Sequence, residues 1–138
     1  MKFTLLLILV FTSSFALGQK VMIYGGEKHD VYLGCLTCTQ FNDESIWNED
    51  GVYGTKLNNI SIWSEFSEYG NEFSYLSPWN EVATAPPIIV DDEGGYYGYF
   101  TRNGEHKDRT EVEFFVYVLD NFRWIQEHFA EFVKGLYF

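Results

Sequence analysis

The apolar positions of this chain change rhythm between Val21 and Val133, and each rhythm predicts its own kind of element. Val21-Met22-Ile23-Tyr24 and Val31-Tyr32-Leu33-Gly34-Cys35-Leu36 are short apolar runs on either side of the turn-forming stretch Gly25 to Asp30. Such a pair reads as a β-hairpin. The arrangement returns as Ile88-Ile89-Val90, the acidic turn Asp91 to Gly95, and Tyr96-Tyr97-Gly98-Tyr99-Phe100-Thr101. Leu33 to Thr37 and Tyr97 to Thr101 correspond position by position. A lone hairpin is marginal in water, so the two are predicted to join in one antiparallel sheet. Gly34 and Gly98 hold matching places inside the second strands. A strand glycine marks a bulge or a close approach by another backbone, or simply packing under a large aromatic ring, the simpler expectation here.

Between the hairpins the rhythm lengthens to sixteen residues. Ser45, Ser61 and Ser77 recur at that step, as do Trp47, Trp63 and Trp79, Glu49, Glu65 and Glu81, and Phe41, Leu57 and Phe73. Tyr53-Gly54 returns as Tyr69-Gly70. A fixed period of this kind marks stacked units that bury too little alone and must lie on one another or on the sheet. Each Ser precedes Ile46, Ile62 or Pro78, and Pro suits the first position of a helix. Ser45, Ser61 and Ser77 are therefore expected to cap short helical turns, with Glu49, Glu65 and Glu81 near the positive end of each. Each unit then holds one such turn and a short extended piece.

After Thr110 the spacing becomes helical. Val112, Phe115, Leu119, Phe122, Phe129 and Val133 follow a three-to-four step with Ile125 beside them. Thr110 and Glu113 match a capping box, and Gly135 supplies a stop. A helix from about 111 to 134 is predicted, although Val112 to Val118 is also rich in strand-forming residues. The expected fold is α+β: two hairpins in a small antiparallel sheet, the three-copy repeat segment of residues 41–87 between them, and a C-terminal helix packed on the sheet.

Composition sharpens this picture in two ways. Met1-Lys2 leads into the apolar run Leu5 to Phe11 and then small residues ending at Gly18. This is the layout of an export signal, with cleavage expected after Gly18 and residues 19–138 forming a single globular domain. The run is too short to span a bilayer. The chain carries 20 acidic against 9 basic residues, a net charge of −11. Such a charge repels nucleic acid and anionic membrane surfaces and keeps a protein soluble outside the cell.

Candidate chemistry is sparse. Cys35 and Cys38 can close a small disulfide in an oxidising compartment. A thioredoxin-type site needs a helix starting at the motif, and a zinc site needs two more ligands from His29, His106 and His128. His128 and Glu131, and Glu127 and Glu131, share a helix face, but a solvated face explains them. Asp91-Asp92-Glu93 is acidic without the alternating ligand spacing of a calcium loop, and reads as a solvated turn. Three equivalent Glu residues argue for a structural role over an acid–base pair. Asn59-Ile60-Ser61 has the form of a glycosylation site, with no glycan expected because the repeat already accounts for Ser61. No catalytic residue, metal or cofactor is therefore assigned. The binding candidates are Trp47, Trp63 and Trp79 with Tyr53 and Tyr69. A row of indoles suits stacking against a sugar or peptide, and equally each indole can fill the core of its own repeat. Trp79, in the terminal copy, has a neighbour on one side only and is expected to be half exposed.

Ser-Ile-Trp-Asn-Glu followed by Tyr-Gly, repeated, resembles a group of small exported bacterial proteins with tandem Ser-Ile-x-Asn-x-Tyr-Gly-x-Tyr-Gly repeats. The likeness covers roughly residues 41–87 and extends to the flanking Leu33 to Leu36 and Ile89 to Asp92 segments. It implies a bacterial, exported protein and brings no catalytic residue. The second copy has Ser67 in place of a usual Gly, and the third ends in Thr84-Ala85 where Tyr-Gly is expected. Three readings follow. The first is an exported, non-enzymatic domain meeting a protein or glycan of the cell envelope, in the periplasm or outside the cell, with no nucleic acid and no membrane insertion once the signal is removed. The second is a carbohydrate- or peptide-binding module built on the Trp row. The third is a thiol-redox or metal-dependent enzyme.

Overall fold

The computed structural model describes residues 19–136; residues 1–18, on which the expectation of an export signal rests, lie outside the described residues. The two hairpins form as expected. Strands β1 (Val21–Gly25) and β2 (Val31–Cys35) make the first, and β3 (Ile88–Asp91) and β4 (Tyr96–Tyr99) the second. β1 and β3 pair antiparallel, Met22 facing Val90, to give one four-stranded sheet in the order β2-β1-β3-β4.

Gly34 and Gly98 are where each hairpin bends to receive the segment that follows it. Both have positive φ, 118° and 89°, which only glycine adopts without strain. Cys35 then donates its N–H to Glu44 O and accepts from Ile46, while Tyr99 donates to Asp108 O and accepts from Thr110. A Cβ on Gly34 would lie 2.9 Å from Ile46 Cγ2 and 3.0 Å from Glu44 O, and one on Gly98 2.7 Å from Asp108 O. Close approach of a returning segment, rather than packing under an aromatic alone, is what the two glycines allow.

The segment between the hairpins contains neither helix nor extended strand. It is a succession of single turns. Asn42, Ser45, Asn48 and Gly51 each donate a backbone N–H to the carbonyl three residues earlier, and Thr55 reaches back four residues to Gly51. The next coil repeats this through Ser61, Ser64 and Ser67, and Asn71 again reaches back four, to Ser67. Four steps of three residues and one of four return the chain to the same place after sixteen. The short polar side chain at the head of a turn accepts the N–H two residues on: Asn42 from Glu44, Ser45 from Trp47, Asn48 from Asp50, Asn58 from Ile60, Ser61 from Trp63 and Ser77 from Trp79. These are Asx- and ST-turns. The Ser-to-N–H bond is the one an N-cap makes, but no helix follows because the next turn begins three residues later. Glu49, Glu65 and Glu81 therefore sit on exposed turns and not at a helix end.

Gly54 and Gly70 lie where one coil rests on the chain before it. A Cβ there would come within 2.0 Å of the Asn48 and Ser64 carbonyl oxygens respectively. Ser45, Ser61 and Ser77 are fully buried, and Ser61 also donates to Tyr53 O at 3.2 Å. Ser61→Ala strips the turn of its acceptor and leaves that donor's partner unmatched. It is expected to cost about 1–3 kcal/mol in a urea melt, while Ser74→Ala, at a less buried head, should cost less.

The C-terminal segment is helical but interrupted. Where one helix was expected, three follow in line: α1 (Glu113–Asp120), α2 (Phe122–Glu127) and α3 (Phe129–Lys134). The breaks fall at Asn121 and His128. Asn121 Nδ2 donates to Tyr117 O at 2.8 Å, and His128 Nδ1 lies 3.0 Å from Trp124 O. In both cases a side chain reaches the carbonyl four residues back, which bends helices. The expected capping box is absent: Thr110 Oγ1 accepts from Val112 N–H in another ST-turn, and the helix begins at Glu113. Phe115, Val118, Leu119, Phe122, Ile125, Phe129 and Val133 are buried. They belong to one core cluster with Val21, Ile23, Leu33 and Ile89 of the sheet and the buried Ile and Trp of the coils. Among the described residues no helix is long and apolar enough to cross a membrane.

Candidate functional site

The sixteen-residue step sorts side chains into an inward and an outward row. Trp47, Trp63 and Trp79 point inward and are 1% exposed. Their rings stand next to one another, with centroids 5.7 Å apart for Trp47 and Trp63 and 5.1 Å for Trp63 and Trp79. Each indole N–H donates to a carbonyl of the preceding layer: Trp47 to Leu36 at 2.9 Å, Trp63 to Ile46 at 2.7 Å, Trp79 to Ile62 at 2.6 Å. Helix residues close the row, Phe129 against Trp63 and Phe122 stacked on Trp79 at 4.8 Å. Trp79 is not half exposed, because Phe100 and Phe122 take the place of the missing neighbour. None of the three rings offers a face to a ligand. Tyr53 and Tyr69 are half-buried: Tyr53 meets Tyr32 of β2 edge-on at 5.1 Å, and Tyr69 lies beside Gly25 of β1. Burial raises the Tyr69 phenol above its ordinary pKa.

Facing outward at the same step are Phe41, Leu57 and Phe73, exposed by 84%, 83% and 82%. Phe66 and Val82 add a second outward pair at 76% and 65%. Three large apolar side chains held almost wholly in water, one per coil, form a ladder that the core does not use. The sequence carries the distinction. Ile-Trp positions are apolar in pairs, while Phe41, Leu57 and Phe73 are single apolar residues between polar ones: Gln40 and Asn42, Lys56 and Asn58, Glu72 and Ser74. Leu57 and Phe73 lie two residues after a turn head, donating their backbone N–H to Thr55 Oγ1 and Asn71 Oδ1.

The ladder runs beside the helices. Lys56 Nζ donates to Gln126 O at 3.0 Å, and Glu72 pairs with Arg123. At the first coil Phe41 lines a cleft of about 380 Å³ together with Glu49, Asp50, Phe129 and Val133. The repeats carry acid in excess. Asp43, Glu49, Asp50, Glu65 and Glu68 are exposed and form no ion pair among the described residues.

The remaining candidates have structural partners. Cys35 and Cys38 are joined as a disulfide, with Cys35 fully buried. The motif lies at the end of β2 and runs into turns, so no helix begins there to lower a thiol pKa. His128 stacks on Trp124 at 4.6 Å. No cluster of three or more metal-ligating side chains occurs among the described residues.

The acidic turn is not solvated throughout. Asp91 is buried and organises it, accepting from Glu93 N at 2.8 Å, Gly95 N at 2.7 Å, Tyr97 Oη at 2.6 Å and Gln19 Nε2 at 2.6 Å. The Tyr97 hydroxyl, then the turn N–H groups, hold the Asp91 carboxyl below the usual carboxylate range. The same bond pushes the Tyr97 phenol up to about 12. A depressed folded-state pKa contributes stability that is present above the unfolded value of about 3.9 and lost as pH falls through the folded value. Asp91→Asn should therefore melt earlier than the parent at neutral pH. The gap in urea midpoint should narrow as pH is lowered from about 5 towards 2; a constant gap would remove the carboxylate charge from the explanation.

No protein-family model, curated protein or solved structure matches this chain.

Proposed function

We propose that this chain is an exported, non-enzymatic interaction domain that meets a protein of the cell envelope through the outward ladder of its coils. The observation that carries this reading is the regular exposure of Phe41, Leu57 and Phe73. Scattered exposed apolar residues need no explanation, but contiguous ones mark interaction surfaces. Here the repeat presents them one to a coil while its indoles hold the scaffold. A stack of short turns pinned by buried bonds gives the rigid support that a contact surface needs. The burial of Trp47, Trp63 and Trp79 turns the binding reading away from those rings, and the closed, helix-free Cys35–Cys38 pair gives no support to redox chemistry.

Surface changes away from special features usually alter stability by less than about 0.5 kcal/mol each. A triple variant, F41S/L57S/F73S, should therefore keep its melting midpoint. It should lose the envelope protein that the parent retains when both serve as bait against an envelope extract. Equal retention of the same partner by parent and variant would refute the ladder as the contact surface.

A further inference from the structure

We infer that the ladder seats a basic amphipathic helix of a partner protein, laid along the coil stack with one helical turn to each coil. This rests on the interaction reading above and adds the chemistry of the partner. The first support is spacing. The indoles of successive coils stand 5.7 and 5.1 Å apart between ring centroids, close to the roughly 5.4 Å that an α-helix rises per turn. A β-strand places same-face residues roughly 6.7 Å apart, which falls out of step by the third coil. The second support is that the chain's own helical segment already reads the stack in this register. Lys56 meets Gln126 and Glu72 meets Arg123, so sixteen residues of coil answer to three of helix.

The third support is charge. Asp43, Glu49, Asp50, Glu65 and Glu68 are exposed and without ion pairs among the described residues. The ammonium of Lys56, the one basic residue in the repeats, is taken up by the Gln126 carbonyl. The complementary helix carries apolar residues at i, i+3 or i+4, and i+7, with Lys or Arg on its flanks. The cleft beside Phe41 receives the anchor at one end, and Glu49 and Asp50 meet a cation next to it. A second copy of this chain fits poorly, since its own net charge of −11 sets acid against acid.

The test is a fluorescence-anisotropy titration of the full chain with a labelled, Lys-rich amphipathic peptide whose Leu residues follow the helical spacing. Two comparators are used, one of the same composition with Leu every fifth residue and one in which a central residue is replaced by Pro. The in-register peptide should bind at least tenfold more tightly than either comparator. F41S/L57S/F73S should lose that advantage, and Glu49→Lys with Asp50→Lys should weaken binding and flatten its salt dependence. Equal binding of all three peptides, or undiminished binding to the triple variant, would overturn the inference. So would a parent that sediments as a dimer and a triple variant that sediments as a monomer, because the occupant would then be a second copy. If the triple variant loses its envelope partner while the peptide shows no register preference, the helix falls and the interaction reading stands. If the envelope partner is unaffected as well, both fall.

Discussion

Trp63→Ala should destabilise the domain by about 3–5 kcal/mol, the range for removing a large aromatic from a core. Trp63 belongs to the middle coil and has a ring on each side, Trp47 at 5.7 Å and Trp79 at 5.1 Å, with Phe129 edge-on at 5.3 Å. Its N–H is also the bond that ties the second coil to the Ile46 carbonyl at 2.7 Å. Truncation opens a cavity that three rigid neighbours cannot fill, and leaves that carbonyl unmatched. Against the roughly 5–15 kcal/mol that holds a whole domain, the variant should melt in much less urea or fail to accumulate. Trp124→Ala is the internal comparison. That ring is 44% exposed and stacks on His128, so its loss should cost well under half as much. Equal costs for the two would mean that the row of indoles is not the core of the stack.

Gly70→Ala, a change of one methyl group, should be nearly as damaging. Gly70 closes the second coil against the first half of the same coil. Its missing Cβ would lie 2.0 Å from the Ser64 carbonyl oxygen and 2.9 Å from the Ile62 oxygen. Both obstacles are backbone, so no side chain can swing away. The Ile62 carbonyl is moreover the acceptor of the Trp79 indole, and pushing it aside loosens the next layer too. Overpacking a tight interior costs about 1–3 kcal/mol and occasionally more, and this contact belongs at the upper end. Gly104→Ala serves as the control. Nothing lies within 4 Å of a Cβ there, so that variant should melt with the parent. A neutral Gly70→Ala would show that the second coil does not close tightly on its own Ile62-to-Ser64 backbone.

Much of the scaffold was legible in the residues. The hairpins were bounded by turn chemistry and agreed with each other position by position, which is why their joining in one sheet could be foreseen. The α+β class followed from the same signals. The inner construction of the coils was not read. The sixteen-residue step was plain, yet its subdivision lay in a second signal: Asn42, Ser45, Asn48 and Gly51, then Asn58, Ser61, Ser64 and Ser67, at intervals of three. Each is a residue that heads a turn, and local side-chain bonds to the backbone compete with helix formation. That competition is why a cap-like serine here starts a turn and not a helix. The same physics interrupted the C-terminal helix at Asn121 and His128, where the apolar spacing alone ran on unbroken.

The candidate site was the least legible part. Large aromatic residues at a fixed step satisfy a core and a binding row equally well, and only the packing of Phe100, Phe122 and Phe129 around the indoles separates the two. Phe41, Leu57 and Phe73 shared the step, but a period alone does not say which way a side chain points. Their exposure follows from their place within the three-residue turns, which the sixteen-residue step alone does not give.

The sharpest test of this inward-and-outward sorting is amide-type hydrogen exchange at the four indole N–H groups, followed by NMR in heavy water. Trp47, Trp63 and Trp79 donate to buried carbonyls of the preceding layer, whereas Trp124 is 44% exposed. Three indole signals should persist and exchange only with global unfolding, and one should vanish at once. Four signals that vanish together under native conditions would contradict the stack of coils built on buried tryptophans.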